Sequence, residues 1–136
     1  KAIDKPFIVL LNCMYPNSES SQSLCGQLSA KYNVWKTQGN FNNEVGLPLT
    51  ILSIREEHQA AVVEMGISDF GEMHRLGQIA KPDICVLTNI GQCHLEFLGD
   101  RDGVLKAKTE IFDFMNREFY QSIVCFHAEI FHIISS

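Results

Sequence analysis

Three stretches of this chain are apolar with no polar alternation: residues 7–12 (FIVLLN), 60–65 (AAVVEM) and 83–89 (DICVLTN). Short continuous runs of that kind, rich in β-branched residues, read as strands buried on both faces. Residues 32–37 (YNVWKT) form a fourth strand candidate. Helical patterns lie between them. Residues 18–31 open on Ser and Glu and carry Leu24 and Leu28 four apart, and Pro48 starts a short helix through Leu49, Leu52 and Ile54. Residues 71–80 predict a helix with Met73, Leu76, Ile79 and Ala80 inward, stopped by Pro82. A loop through Gly91, His94 and Gly99 precedes a last helix over 102–115. Apolar strands alternating with helices predict an α/β fold, a mainly parallel sheet with helices on both faces. Residues 117–136 differ in texture, lacking glycine and proline, and predict a strand followed by an edge or tail. His127 and His132 stand there at a spacing that shares no helix face, without a third ligand at metal spacing.

Composition narrows the class. With 136 residues, 46% of them hydrophobic, the chain can bury the core of one domain and is not disordered as a whole. A formal charge of −5 and no cluster of Lys and Arg leave no footprint for nucleic acid or an anionic membrane. The longest apolar runs, 7–11 and 123–126, fall far short of the roughly 18 residues a membrane helix needs. Five cysteines with no CxxC pair point to reduced thiols in a cytosolic protein. The chain opens on Lys1 without a signal-peptide pattern, and the expectation is an excerpt of something longer.

The chemistry concentrates where apolar runs end. In an open parallel sheet, ligands bind beyond the carboxyl ends of the strands. Glu64 closes one run, where an ionised carboxylate needs a cation or hydrogen-bond donors; a magnesium ion on a phosphate is one partner, and a helix N-terminus or Arg75 is another. Thr88 and Asn89 close the next run as candidate contacts or as a simple turn. His94 follows in the same loop, either solvated or a metal or phosphate ligand. On a helical wheel Lys108 falls within the stripe of Val104, Ile111 and Met115. It must snorkel to water or, desolvated, react as a neutral amine, including with carbon dioxide to give a carbamate. Between the second and third strand candidates, residues 36–50 (KTQGNFNNEVGLPLT) crowd Asn40, Asn42 and Asn43 between two glycines and a proline, as a surface turn or as a binding loop.

Four blocks in order, KTQGNFNNEVGLPLT (36–50), VVEMGISDFGEM (62–73), KPDICVLTNIGQCHLEFLG (81–99) and KAKTEIF (106–112), resemble the central domain of the Mur ligases. The NFNN and EMG…GEM elements are most similar to the branch that adds D-alanyl-D-alanine to UDP-N-acetylmuramoyl-tripeptide in bacterial peptidoglycan synthesis, a cytoplasmic reaction. The resemblance implies a P-loop-NTPase-like domain using ATP and Mg2+, family-like from about residue 24 to 115, with 117–136 a divergent tail after a 1–116 partial domain. It implies phosphorylation of the peptide carboxylate by ATP and attack of the dipeptide amine on the acyl phosphate. By the same resemblance Glu64 and His94 are magnesium ligands, Lys108 is the carbamylated lysine, and Thr37, Asn40, Asn42 and Asn43 line the muramoyl-peptide site.

One family part is missing. A TGSxGKTTT phosphate loop would fall on residues 12–20, which read NCMYPNSES, with neither glycine nor lysine. Ser18 alone keeps a hydroxyl for the metal, and Asn89 remains as a further nucleotide contact. The expectation is a ligase fragment inactive alone, its flanks altered by a frame shift. The alternatives are a non-catalytic module that binds the muramoyl-peptide nucleotide and an unrelated small α/β binding protein. A sheet cut partway also predicts self-association through an exposed edge.

Overall fold

The computed structural model describes residues 7–12, 19–87, 90–91, 94–115 and 123–125, with residues 7–12, 19–21, 24 and 123–125 described by their backbone. Strands β1 (Phe7–Asn12), β2 (Val34–Lys36), β3 (Ala60–Glu64), β4 (Ile84–Leu87) and β5 (Ile123–Cys125) form one sheet in the order β2-β3-β1-β4-β5. Every pairing in it is parallel. The predicted α/β fold is therefore observed, including a strand within 117–136. Ser18, Thr88 and Asn89, His127 and His132, and most of the 12–20 segment lie outside the described residues.

The apolar runs of β3 and β4 have both faces covered. Ala61 and Val63 of β3, with Cys85 and Leu87 of β4, join the large core cluster with residues of the helices on that side. Those helices are α2 (Gly46–Leu52), α3 (Glu72–Ala80) and α5 (Arg101–Thr109), the last tightening into a 3-10 turn at Glu110–Phe114. Val62 and Val86 point the opposite way, toward Cys25 and Leu28 of α1 (Glu19–Ser29). The period-two alternation thus sends successive residues of one strand into two different cores.

Three expectations need correcting. Ile79 is 40% exposed, whereas Met73, Leu76, Gly77 and Ala80 are the buried face of α3. The 3.6-residue period centres that face between Leu76 and Gly77 and leaves Ile79 about 100° away. The loop before the last helix also contains a short helix, α4 (Leu95–Leu98), whose Leu98 is buried. Pro48 does sit in the first turn of α2, which ends at Leu52 rather than Ile54.

Glycine matters most at Gly77. A Cβ there would meet Phe114 Cδ2 at 2.5 Å and Ile111 Cδ1 at 3.0 Å, so α3 and the 3-10 turn approach as closely as a bare backbone allows. Among the described residues, no helix is long and apolar enough to cross a membrane.

Candidate functional site

The carboxyl end of β3 and the loop that follows β2 are sewn together. Thr37 continues the β2–β3 ladder, its amide bonding the Val62 carbonyl at 3.1 Å, and its hydroxyl accepts the Glu64 amide at 2.9 Å. Asn42 returns to the same strand end: its Nδ2 donates to Glu64 Oε1 at 2.8 Å, and its carbonyl accepts the Gly66 amide at 2.8 Å. Gly66 permits that approach, because a Cβ on it would lie 3.1 Å from Asn42 Nδ2. No sequence signal links residues 42 and 66 beyond the glycine that follows the apolar run.

Glu64 is 7% exposed, and burial pushes its carboxyl above the ordinary glutamate range, with the Asn42 amide acting against that rise. Neither structural alternative raised by the sequence accounts for it. Arg75 is paired instead with Glu44, from the loop to α3. The start of α3 is served by other carboxylates: Glu72 accepts the amides of Ser68 and Asp69, and Glu110 accepts those of Gly71 and His74. A buried carboxylate steadied by one neutral amide is a suitable donor for a divalent cation.

Asn43 Oδ1 accepts the amides of Val45 at 3.1 Å and Gly46 at 2.9 Å, capping the start of α2. Asn40 is exposed in the turn, its carbonyl bonded to the Asn42 amide at 2.8 Å. His94 is exposed at the head of α4 with φ of 57°, a left-handed conformation that a residue with a Cβ rarely adopts. Lys108 is 4% exposed in the stripe of Val104, Ile111 and Met115, so it is buried rather than carried out to water. Among the described residues no three His, Cys, Asp or Glu side chains converge on one point. A cation at Glu64 would then draw further ligands from phosphate oxygens and water, and magnesium is commonly held by one or two carboxylates plus substrate phosphate.

A parallel sheet with a buried acid at one strand end suits many folds, but the sequence match is specific. The profile of the Mur ligase middle domain covers residues 20–133. The chain belongs to the Mur ligase middle-domain family. That membership removes the reading of an unrelated α/β binding protein. The chain is 51% identical over 84 residues to the UDP-N-acetylmuramoyl-tripeptide–D-alanyl-D-alanine ligase of Bacillus subtilis, covering 62% of this chain and 18% of that protein. It is 39% identical over 92 residues to the enzyme of the same name from Borreliella burgdorferi, covering 68% of this chain and 20% of that one. Among solved structures, MurF from Acinetobacter baumannii superposes with a TM-score of 0.80 at 31% identity, covering 95% of this chain and 29% of that one. The MurF ligase of Thermotoga maritima in complex with ADP gives 0.73 at 30% identity, over 88% of this chain and 32% of that one. The chain spans about a fifth of the length of the curated relatives it matches.

Proposed function

We propose that this chain is a portion of the middle domain of an ATP-dependent ligase that adds D-alanyl-D-alanine to UDP-N-acetylmuramoyl-tripeptide in the bacterial cytoplasm, and that it does not turn over alone. The observation that carries this reading is the union of the Asn-rich loop with Glu64, a buried acid at a strand end where sheets of this kind take their ligands. In it Asn40, with the loop around Thr37, Asn42 and Asn43, lines the muramoyl-peptide side. Glu64 and His94 would hold magnesium, and Ser18 and Asn89 are assigned to the nucleotide by the family resemblance alone. A bound magnesium ion would neutralise charge on phosphate oxygens.

The burial of Lys108 supports its role as the carbamylated lysine. Carbamylation is the addition of a lysine amine, in its neutral form, to the carbon of CO2 with loss of a proton, leaving a carbamate whose oxygens are cation donors. The fixed backbone around Thr37 and Glu64 would orient the peptide carboxylate without reorganisation.

The sequence NCMYPNSES at 12–20 supports inactivity, since it offers no glycine-rich cradle and no lysine for the terminal phosphates of ATP. The same observation favours a second reading, a non-catalytic module that binds the muramoyl-peptide nucleotide. Calorimetry with UDP-N-acetylmuramoyl-tripeptide and with ATP, beside a phosphate-release assay with both substrates, tests both readings. Nucleotide-peptide binding without phosphate release is expected. Release above background would overturn the inactivity, and ATP binding at millimolar affinity or tighter would overturn the loss of ATP binding; failure to bind the nucleotide-peptide would overturn the shared site. Self-association through an edge strand is a further part of the reading, and a concentration-independent monomer in sedimentation would refute it.

A further inference from the structure

We propose that Asn42 is a positioning residue for the Glu64 carboxylate rather than a ligand of the substrate. This rests on the ligase reading above and deepens its metal site.

Asn42 engages the strand end through two of its polar groups. Its side-chain amide donates to Glu64 Oε1 at 2.8 Å, and its carbonyl takes the Gly66 amide at 2.8 Å. Thr37 secures the intervening backbone by accepting the Glu64 amide at 2.9 Å. Glu64 is thus gripped by the loop at its own amide, at its side chain and two residues further on. With Oε1 held by a neutral donor, no counter-ion competes for the carboxylate, and the grip on Oε1 orients Oε2. Gly66 makes the grip possible, since a Cβ there would approach Asn42 Nδ2 to 3.1 Å and Cγ to 3.3 Å. Hydrogen-bond partners of this kind orient ligating carboxylates, and their loss commonly lowers metal affinity about 10–100-fold.

The inference also assigns work within the loop. Asn43 Oδ1 is occupied at the start of α2, and Asn42 Nδ2 at Glu64. Asn40 and Asn43 are both exposed, and Asn40 is the one of the three whose side chain engages neither the strand end nor the start of α2.

The experiment measures the Mn2+ dissociation constant of the 136-residue chain by electron paramagnetic resonance, and UDP-N-acetylmuramoyl-tripeptide affinity by calorimetry, for wild type, Asn42→Ala, Gly66→Ala, Glu64→Gln and the Asn42→Ala/Glu64→Gln pair. Asn42→Ala is expected to weaken Mn2+ about tenfold or more, with nucleotide-peptide affinity changed less than about twofold. Gly66→Ala is expected to weaken Mn2+ by a smaller factor and serves if Asn42→Ala does not fold. In the Glu64→Gln background the Asn42 change should cost Mn2+ affinity nothing further, an outcome a general loss of stability would not give. If wild type takes up no Mn2+, the metal assignment of the ligase reading fails and this inference fails with it. If wild type binds Mn2+ and Asn42→Ala binds it equally well, the positioning role alone is overturned. A tenfold loss of the nucleotide-peptide with unchanged Mn2+ would make Asn42 a substrate ligand and overturn it too.

Discussion

The carboxylate of Glu110 accepts the backbone amide of Gly71 across 39 residues of chain, with both oxygens close, at 3.2 Å and 3.1 Å. It also accepts the His74 amide at 3.2 Å. A side chain from the 3-10 turn therefore caps α3 from outside, at the end where the helix dipole favours negative charge.

Removing that cap leaves two amides without their acceptor. Glu110→Ala is expected to cost about 1–2 kcal/mol, the size of a lost helix cap. Glu110→Gln keeps an acceptor oxygen but loses the charge, and should cost less. Urea melts of the three proteins check the order; an unchanged midpoint for Glu110→Ala would refute it.

Gly77→Ala sets two effects against each other. Helix propensity favours alanine by about 1 kcal/mol. The new Cβ, however, would collide with the Phe114 ring at 2.5 Å, and overpacking of this kind costs about 1–3 kcal/mol. Net destabilisation is expected in thermal melts, with recovery when Phe114→Leu is added.

His94 holds a left-handed backbone at φ of 57°. His94→Gly should relieve roughly 1 kcal/mol of strain and raise the melting temperature, while removing the imidazole that the ligase reading assigns to magnesium. Stability should rise as Mn2+ affinity falls; a variant that loses both would contradict this.

Burial raises the Cys25 thiol above its ordinary value of 9.0, against the opposing pull of nearby Lys36. The folded state holds that proton more tightly than the unfolded chain. Its contribution to stability is therefore full below the ordinary thiol range and is lost as pH rises through the elevated folded value. Cys25→Ala should show a smaller fall in melting temperature than wild type as the medium becomes strongly alkaline.

What the sequence revealed follows from how local each signal is. β3 and β4 were legible because strands buried on both faces cannot alternate, β1 by the same continuous apolar run, and Lys108 because a helical wheel needs only its own turn. Ile79 misled because an apolar residue beside a buried face looks like part of it. The short α4 was missed between glycine-flanked residues. Glu64 was found as a buried acid, but its partner was not: Asn42 lies 22 residues away, and the tempting Arg75 is taken by Glu44. Asn40, Asn42 and Asn43 looked alike in sequence, and only the folded chain separates an exposed turn residue, a carboxylate holder and a helix cap.

The central place of β1 gives the chain a demanding order of synthesis. Phe7 pairs with Ala60 and Val9 with Ile84, so β1 waits for partners 53 and 75 positions later. At ribosomal speeds of about 5–20 residues per second, FIVLLN spends roughly 4–15 s lacking its second neighbour. A nascent segment of this kind would depend on chaperone cover during that interval.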